Sequence, residues 1–203
     1  MKKKSAREPY IPVGPPFPCR HVEKIMPQFS GTDTKLIREL HELIRNRSAA
    51  AAIEEAFVQA GLDLESRVDG LPYASAELPI DVFKADLSPD VRDAVNMCRV
   101  FILRRGCRMM TPEIHRNSIQ RLLSYRGSGT IHSAKATDPD VRFVPWALKD
   151  NQDGDGDLDV LWDVVPANTW HFPEADASGD WNTVTFHSSS SFEIVEEYQD
   201  SLE

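Results

Sequence analysis

The hydrophobic pattern changes near the middle of the chain, from helical spacing to short apolar runs. In the first half, one apolar stripe at helical spacing predicts a helix, with members at Leu36, Leu40, Leu43 and Ile44. Ser48 is a favourable N-cap for a second helix, which Gly61 is expected to end. Ser88 followed by Pro89 predicts a third, short helix.

The second half contains short apolar segments punctuated by Gly, Pro, Asn and Asp. This pattern predicts strands at residues 99–104, 120–126, 140–146, 158–165, 181–187 and 191–196. Residues 62–87 show no clear period and predict a loop with at most a short strand. We therefore predict a mainly β protein, in which a helical region (31–96) packs on a β-barrel (97–203).

Residues 1–30 begin with a run of prolines at Pro9, Pro12, Pro15, Pro16 and Pro18. Proline fixes φ and removes a backbone donor, so this segment is predicted to be an extended arm. The arm is either disordered or lies along a partner subunit. Because an open barrel also leaves sheet edges to cover, the sequence favours a homodimer.

Composition narrows the classes of function. A chain of 203 residues suits one domain with a sizeable core, and no apolar run is long enough to span a membrane. Three cysteines without metal-type spacing fit a reducing cytoplasm. Residues 137–203 hold two basic residues against sixteen acidic ones, which would repel phosphates. We therefore expect a cytoplasmic protein that binds neither nucleic acid nor a membrane.

Two segments carry candidate chemistry. In a strand, Glu113 and His115 point to the same side, and a carboxylate aimed into a barrel needs a cation or a hydrogen-bond partner. Further on, Pro166 and Asn168 predict a turn, because Asn tolerates a positive φ, and His171 begins the next strand. Two histidines and one carboxylate form the set that non-haem iron uses, with positions left open for substrate or oxygen.

These segments resemble the paired motifs of the cupin superfamily. The first family motif contains Gly, His-x-His, Glu and Gly, and the matching positions here are Gly106, Glu113-Ile-His115, Gln120 and Gly127. The second contains Pro-x-Gly-x-x-His, and Pro166-Ala-Asn168-Thr-Trp-His171 follows it with Asn in place of Gly. The resemblance covers about residues 98–197 and implies a jelly-roll barrel, that is, a double-stranded β-helix.

The resemblance also implies a site. Glu113, His115 and His171 would hold a divalent transition metal, with iron expected first and zinc, manganese or nickel as alternatives. Gln120, which replaces the family glutamate, would be a fourth ligand or would orient a small-molecule substrate. The candidate acid–base group is His187, and the candidates for the pocket lining are Arg121, Tyr125 and Trp170. The implied function is that of a metal-dependent enzyme, most simply a non-haem iron dioxygenase or another oxidoreductase, with isomerase or lyase chemistry also open.

Several alternatives stay open at this stage. A non-catalytic cupin that binds a small molecule fits the altered ligand set. Glu113 and His115 could instead form an exposed strand end, and His171 could be a hydrogen-bonded interior histidine. A 2-oxoglutarate-type oxygenase is disfavoured because no Arg or Lys follows His171. Residues 151–159 resemble part of a calcium loop, but the closing Glu is absent, so we expect an acidic hairpin tip instead.

Overall fold

The structure is a computed structural model that describes residues 31–137, 141–152 and 157–199. Within these residues the helices are α1 (Gly31–Ile44), α2 (Arg47–Ser66), α3 (Asp81–Lys84), α4 (Pro89–Ala94) and α5 (Leu158–Leu161). The strands are β1 (Tyr73–Leu78), β2 (Met97–Leu103), β3 (Glu113–His115), β4 (Gln120–Arg126), β5 (Gly129–Lys135), β6 (Val144–Leu148), β7 (Trp162–Val165), β8 (Thr169–Ala175), β9 (Trp181–His187) and β10 (Glu196–Tyr198). The predicted arm and the middle of the calcium-like segment lie outside the described residues.

The strands form two five-stranded antiparallel sheets that face each other. The inner sheet has the order β1-β2-β9-β4-β7, and the outer sheet has the order β10-β3-β8-β5-β6. Side chains of both sheets line one apolar cluster and one cavity between them. This architecture confirms the predicted mainly β, jelly-roll barrel with helices added at its N-terminal side.

The inner sheet lies between the helices and the barrel interior. On β9, Val184 and Phe186 belong to the apolar core beneath α1 and α2, whereas Thr183 and Thr185 line the cavity on the other face. Because strand side chains alternate, one face of this sheet packs against the helices and the other faces the barrel interior.

In the part of the chain that the structure describes, no helix is both long and apolar enough to cross a membrane.

The helices differ from the sequence prediction at their ends. The predicted cap Ser48 lies inside α2, and Asn46 caps the helix by accepting a hydrogen bond from the Ser48 amide at 3.1 Å. Gly61 does not end α2, which continues to Ser66 because Leu64 in the last turn is buried against the core. Packing of that last turn outweighs the helix-stopping tendency of glycine.

The strand predictions were most accurate in the middle of the barrel. Strands β4 and β9 have the predicted bounds. The predicted strand 158–165 was wrong in its first half, which is α5, because the Asp157 carboxylate caps a helical turn there. The strand predicted at 191–196 is also wrong, since this segment is a turn followed by β10. Residues 73–78, within the segment expected to be mainly loop, form β1 and pair with β2.

The barrel interior is apolar at one end and polar at the other. Trp181 is fully buried at one end of β9, where its indole nitrogen donates to Ser124 Oγ at 2.8 Å. It packs among apolar side chains of both sheets, which include Leu103, Leu122 and Ile131. At the other end of the same strand stands His187, which is also buried. One end of the barrel interior is therefore filled by apolar side chains, and the other end holds a polar one.

His41 is buried where α1 packs on the barrel, and we expect it to make the free energy of unfolding decrease at acidic pH. Burial lowers the pKa of His41, the nearby charge of Arg45 lowers it further, and its Nδ1 accepts a hydrogen bond from Trp162 Nε1 at 3.3 Å. The unfolded chain therefore binds the proton first as the pH falls below about 6.5, and the free energy of unfolding decreases. Urea unfolding between pH 8 and 5 should show a smaller loss in His41→Gln than in the wild type. Equal losses in both proteins would contradict this assignment, because the other histidines are common to both.

Candidate metal centre

The pairing of β3 with β8 brings together the residues of the two motif segments. Glu113 and His171 are directly opposite each other in the antiparallel register, and His115 lies two residues along β3 on the same face. The turn before β8 requires a positive φ, and Asn168 adopts it at 59°, as the sequence predicts. The Asn168 amide donates to the His115 carbonyl at 2.9 Å, which fixes the turn against β3.

Three ligand-type atoms converge inside the barrel. Glu113 Oε1 lies 3.3 Å from His171 Nε2 and 4.0 Å from His115 Nε2, and one ligand atom from each residue falls within 4.8 Å of the other two. We call Glu113, His115 and His171 the carboxylate–histidine cluster. Ligand atoms about 2.1 Å from one ion lie about 3.0–3.4 Å apart when adjacent and up to about 4.2 Å when opposite. The observed distances fit a single small divalent cation.

The hydrogen bonding around the cluster points to the same conclusion. Both ring nitrogens of His115 and the Nε2 of His171 are buried and have no hydrogen-bond partner. The Nδ1 of His171 lies 3.2 Å from the Thr169 carbonyl, which can only accept, so this nitrogen carries the proton. The lone pair of His171 Nε2 is therefore directed toward Glu113 and His115, as the lone pair of a metal-binding histidine is directed toward its ion. Buried unpaired nitrogens are costly, and one cation would satisfy the Nε2 atoms of His115 and His171.

Charges and burial set the protonation states of the cluster. Burial opposes ionisation of Glu113, but the neighbouring His171 outweighs it and lowers the carboxyl pKa. Burial likewise opposes the charged form of His171, and the Glu113 carboxylate outweighs it and raises that pKa. Burial, with the charge of His171, lowers the pKa of His115 to about 4. These shifts favour the ionised form of Glu113 and the neutral form of His115, and a metal would compete with a proton for His171 Nε2.

A small cavity opens beside the cluster. Its volume is about 40 Å³, room for about three waters at roughly 10–15 Å³ each. The side chains that line it come from both sheets and are those of Arg99, Phe101, Met109, Glu113, Gln120, Leu122, Ile131, His171, Pro173, Thr183, Thr185 and His187. The cavity is apolar on one side and polar at the cluster.

Two of the predicted catalytic side chains face this cavity. Gln120 on β4 and His187 on β9 are directly opposite each other in the register, and both are buried. The His187 ring centroid lies 5.1 Å from that of His115. Burial, together with the charge of His115, holds the pKa of His187 well below its usual range, so the ring is neutral. His187 therefore faces the cavity as an uncharged ring, which resists taking up a proton.

The residues predicted to line the pocket lie elsewhere. Arg121 and Tyr125 are on the opposite face of β4, where Arg121 pairs with Asp33 at 3.4 Å and Tyr125 donates to Glu54 at 2.8 Å. Trp170 is also absent from the lining and lies 5.9 Å from the guanidinium of Arg116. The sequence prediction placed them by proximity to the motifs, whereas strand alternation turns each of them away from its inward-facing neighbour.

Sequence reasoning missed two charged residues at the site. Arg99 on β2 lines the cavity, and Glu196 on β10 lies with its Oε1 3.5 Å from His115 Nε2. Alternation of Arg99 with buried apolar residues within β2 was a possible signal for the first. Glu196 had no signal, because the pairing of β10 with β3 joins segments far apart in the sequence. The alternative of an exposed strand end is wrong, since His115 is 2% exposed.

The position of the motif residues within the barrel decides the fold type. Both motif segments lie on neighbouring strands of a two-sheet antiparallel barrel, with their candidate ligands turned inside. The fold is cupin-like. No family model matches the sequence, and no curated protein sequence matches it.

Solved structures that are similar to the chain match part of its length. A recombinant oxalate oxidase in complex with glycolate is 14% identical with a TM-score of 0.46, over 62% of this chain and 55% of that one. The capsular polysaccharide assembling protein CapF from Staphylococcus aureus is 15% identical with a TM-score of 0.46, over 64% and 32%. Vicilin from Corylus avellana (hazelnut) is 13% identical with a TM-score of 0.45, over 64% and 33%. The chain thus spans about half the length of the oxalate oxidase that it matches, and less of the other two.

Proposed function

We propose that the protein is a metal-dependent enzyme that acts on a small molecule, most simply a non-haem iron dioxygenase or another oxidoreductase. The observation that carries this proposal is the carboxylate–histidine cluster, whose three ligand-type atoms lie within 4.8 Å of one another in a buried site. Two histidines and one carboxylate leave coordination positions open, which is the arrangement that non-haem iron oxygenases use. A bound iron ion supplies redox chemistry that side chains lack.

The remaining side chains of the cavity define what the protein itself contributes. The guanidinium of Arg99 favours a substrate that carries a negative charge, because the charge acts at short range in a partly dehydrated site. The amide of Gln120 can orient a polar group of the substrate, and the neutral ring of His187 can accept a hydrogen bond from it. The buried Thr183 hydroxyl has no hydrogen-bond partner and is a further candidate contact. The apolar side of the cavity limits the access of water.

A second candidate function is a non-catalytic module that binds a small molecule in the same cavity. The observation that favours it is Gln120, which faces the cavity at the position where the family resemblance places a glutamate. An uncharged amide contributes less to metal binding than a carboxylate does. In this alternative, the cavity binds an organic ligand through Arg99 and Gln120 without redox chemistry.

Metal analysis of protein purified without added metal tests the first function. We expect close to one transition-metal ion per chain, and a higher melting temperature on addition of Fe²⁺, Mn²⁺ or Zn²⁺, because a ligand that binds only the folded state stabilises it. No bound metal, together with stabilisation by small organic acids but not by these cations, would support the non-catalytic alternative.

The homodimer, its proline-rich arm and the cytoplasmic location stay predictions from the sequence.

A further inference from the structure

Strand β10 brings a second carboxylate to the cluster from the C-terminal end of the chain. In the register of β10 with β3, Glu196 is directly opposite His115, just as His171 on β8 is directly opposite Glu113. Strand β3 thus lies between β10 and β8, and each of these two strands carries a side chain of a type that can bind a metal. The next residue, Glu197, is turned the other way and pairs with Arg116 at 2.6 Å.

The carboxylate of Glu196 is oriented into the site, and one of its oxygens has no hydrogen-bond partner. Its Oε2 accepts a hydrogen bond from the Tyr198 hydroxyl at 3.3 Å. Its Oε1 is buried without a hydrogen-bond partner, 3.5 Å from His115 Nε2 and 3.6 Å from Arg99 Nη1. The distance to His115 Nε2 resembles the 3.3 Å between Glu113 Oε1 and His171 Nε2. Glu196 lies outside the three residues whose ligand atoms all fall within 4.8 Å of one another, so its carboxylate would have to turn further toward the ion to bind it.

Backbone hydrogen bonds hold β10 in this position. The Gln199 amide donates to the Pro112 carbonyl at 2.9 Å, and the Arg116 amide donates to the Val195 carbonyl at 2.8 Å. The Val195 amide in turn donates to the side-chain oxygen of Asn117 at 2.8 Å. The backbone of Glu196 is therefore attached to the segment that carries Glu113 and His115, so that only its side chain has to be ordered on binding.

The charge of a divalent cation would be only partly balanced by the carboxylate–histidine cluster. The carboxylate–histidine cluster offers one negative charge to a divalent cation, and Gln120 adds none. Arg99 places a positive charge close by, which opposes a cation. Glu196 lies between Arg99 and His115, so its charge both screens Arg99 and attracts the ion.

We propose that Glu196 is the fourth protein ligand of the metal and supplies, from the C-terminal strand, the negative charge that Gln120 lacks. This inference rests on the proposed metal-dependent function. It predicts a site with two histidines and two carboxylates that is complete only when β10 is paired with β3. Oxygen-rich sites of this kind suit iron and manganese better than a site with histidines alone does.

Titration of the metal-free full-length protein with Mn²⁺, followed by the electron paramagnetic resonance signal of free Mn²⁺, tests this assignment. We expect Glu196→Gln to weaken binding about tenfold or more, because it removes a charged ligand. The matched control is Glu197→Gln, which removes the same charge one residue away on the outer face and should bind as the wild type does. Adding Gln120→Glu to Glu196→Gln should recover part of the lost affinity.

The two proposals fail in different ways. If the wild type binds Mn²⁺ and Glu196→Gln binds it within threefold, with the melting temperature of the metal-free protein unchanged, Glu196 is not a ligand and the metal function stands. If the wild type binds none of Mn²⁺, Fe²⁺ and Zn²⁺, the proposed function itself is wrong. Equal weakening in Glu196→Gln and Glu197→Gln would assign the effect to general surface charge and would also overturn the inference.

Discussion

Replacing His171 by alanine is expected to abolish stoichiometric metal binding, with an affinity at least about a hundredfold below that of the wild type. His171 is buried, its Nε2 has no hydrogen-bond partner, and its Nδ1 contact with Thr169 fixes the ring toward Glu113. Without it, Glu113 and His115 are left as two ligands of the cluster. Metal content after purification and titration with Mn²⁺ measure the loss, and any metal-dependent activity should disappear with it.

A control separates the loss of a ligand from the loss of a buried ring. His132 on β5 is also a histidine in the outer sheet, but it pairs with Glu174 at 2.9 Å away from the cluster, so His132→Ala should keep the metal. His171→Gln fills most of the lost volume with a poorer ligand and should bind metal nearly as weakly as His171→Ala. Full metal content in His171→Ala, or an equal loss in His132→Ala, would show that the cluster is not the site.

Replacing Trp181 by alanine is expected to lower the free energy of unfolding by about 3–5 kcal/mol, the usual cost of removing a large buried aromatic ring. The ring is fully buried among apolar side chains of both sheets, and its indole hydrogen bond to Ser124 would be lost as well. Neighbouring side chains cannot collapse easily into the gap, because they belong to paired strands. Urea unfolding at neutral pH measures the change.

The control for this substitution is an aromatic side chain of the same chain that is not buried. Phe192 is 98% exposed, so Phe192→Ala should change the free energy of unfolding by less than about 0.5 kcal/mol. A similar small change in Trp181→Ala would mean that the apolar end of the barrel contributes little to stability. That result would contradict the division of the barrel into an apolar end and a polar end that holds the site.

The sequence predicted the inward-facing residues of the site from local patterns. Glu113 and His115 share a face because strand side chains alternate, and Asn168 marks the turn because few other residues tolerate its positive φ. Both signals depend on a few neighbouring residues and on backbone sterics. The prediction was wrong where tertiary packing outweighed a local preference. At Gly61, a usual helix stop, α2 continues because its last turn is buried.

The pocket lining could not be predicted in the same way. Arg121 follows Gln120 directly in the sequence. It nevertheless faces the helices and not the cavity, because successive side chains of a strand point to opposite faces of the sheet. In contrast, Arg99 and Glu196 are distant in the sequence and meet at the cluster. Which strand lies beside which depends on the pairing of ten strands, and no local pattern encodes it.

By itself, the sequence determined that the chain would form short strands with two histidines and a carboxylate directed inward, because alternation, turn chemistry and residue type are local properties. The tertiary structure alone decided that β10 would pair with β3, that Glu196 would reach His115, and that Trp181 would fill the apolar end of the barrel. These features result from burial and strand pairing between distant segments. Their free energy depends on the whole assembled barrel and on no single segment.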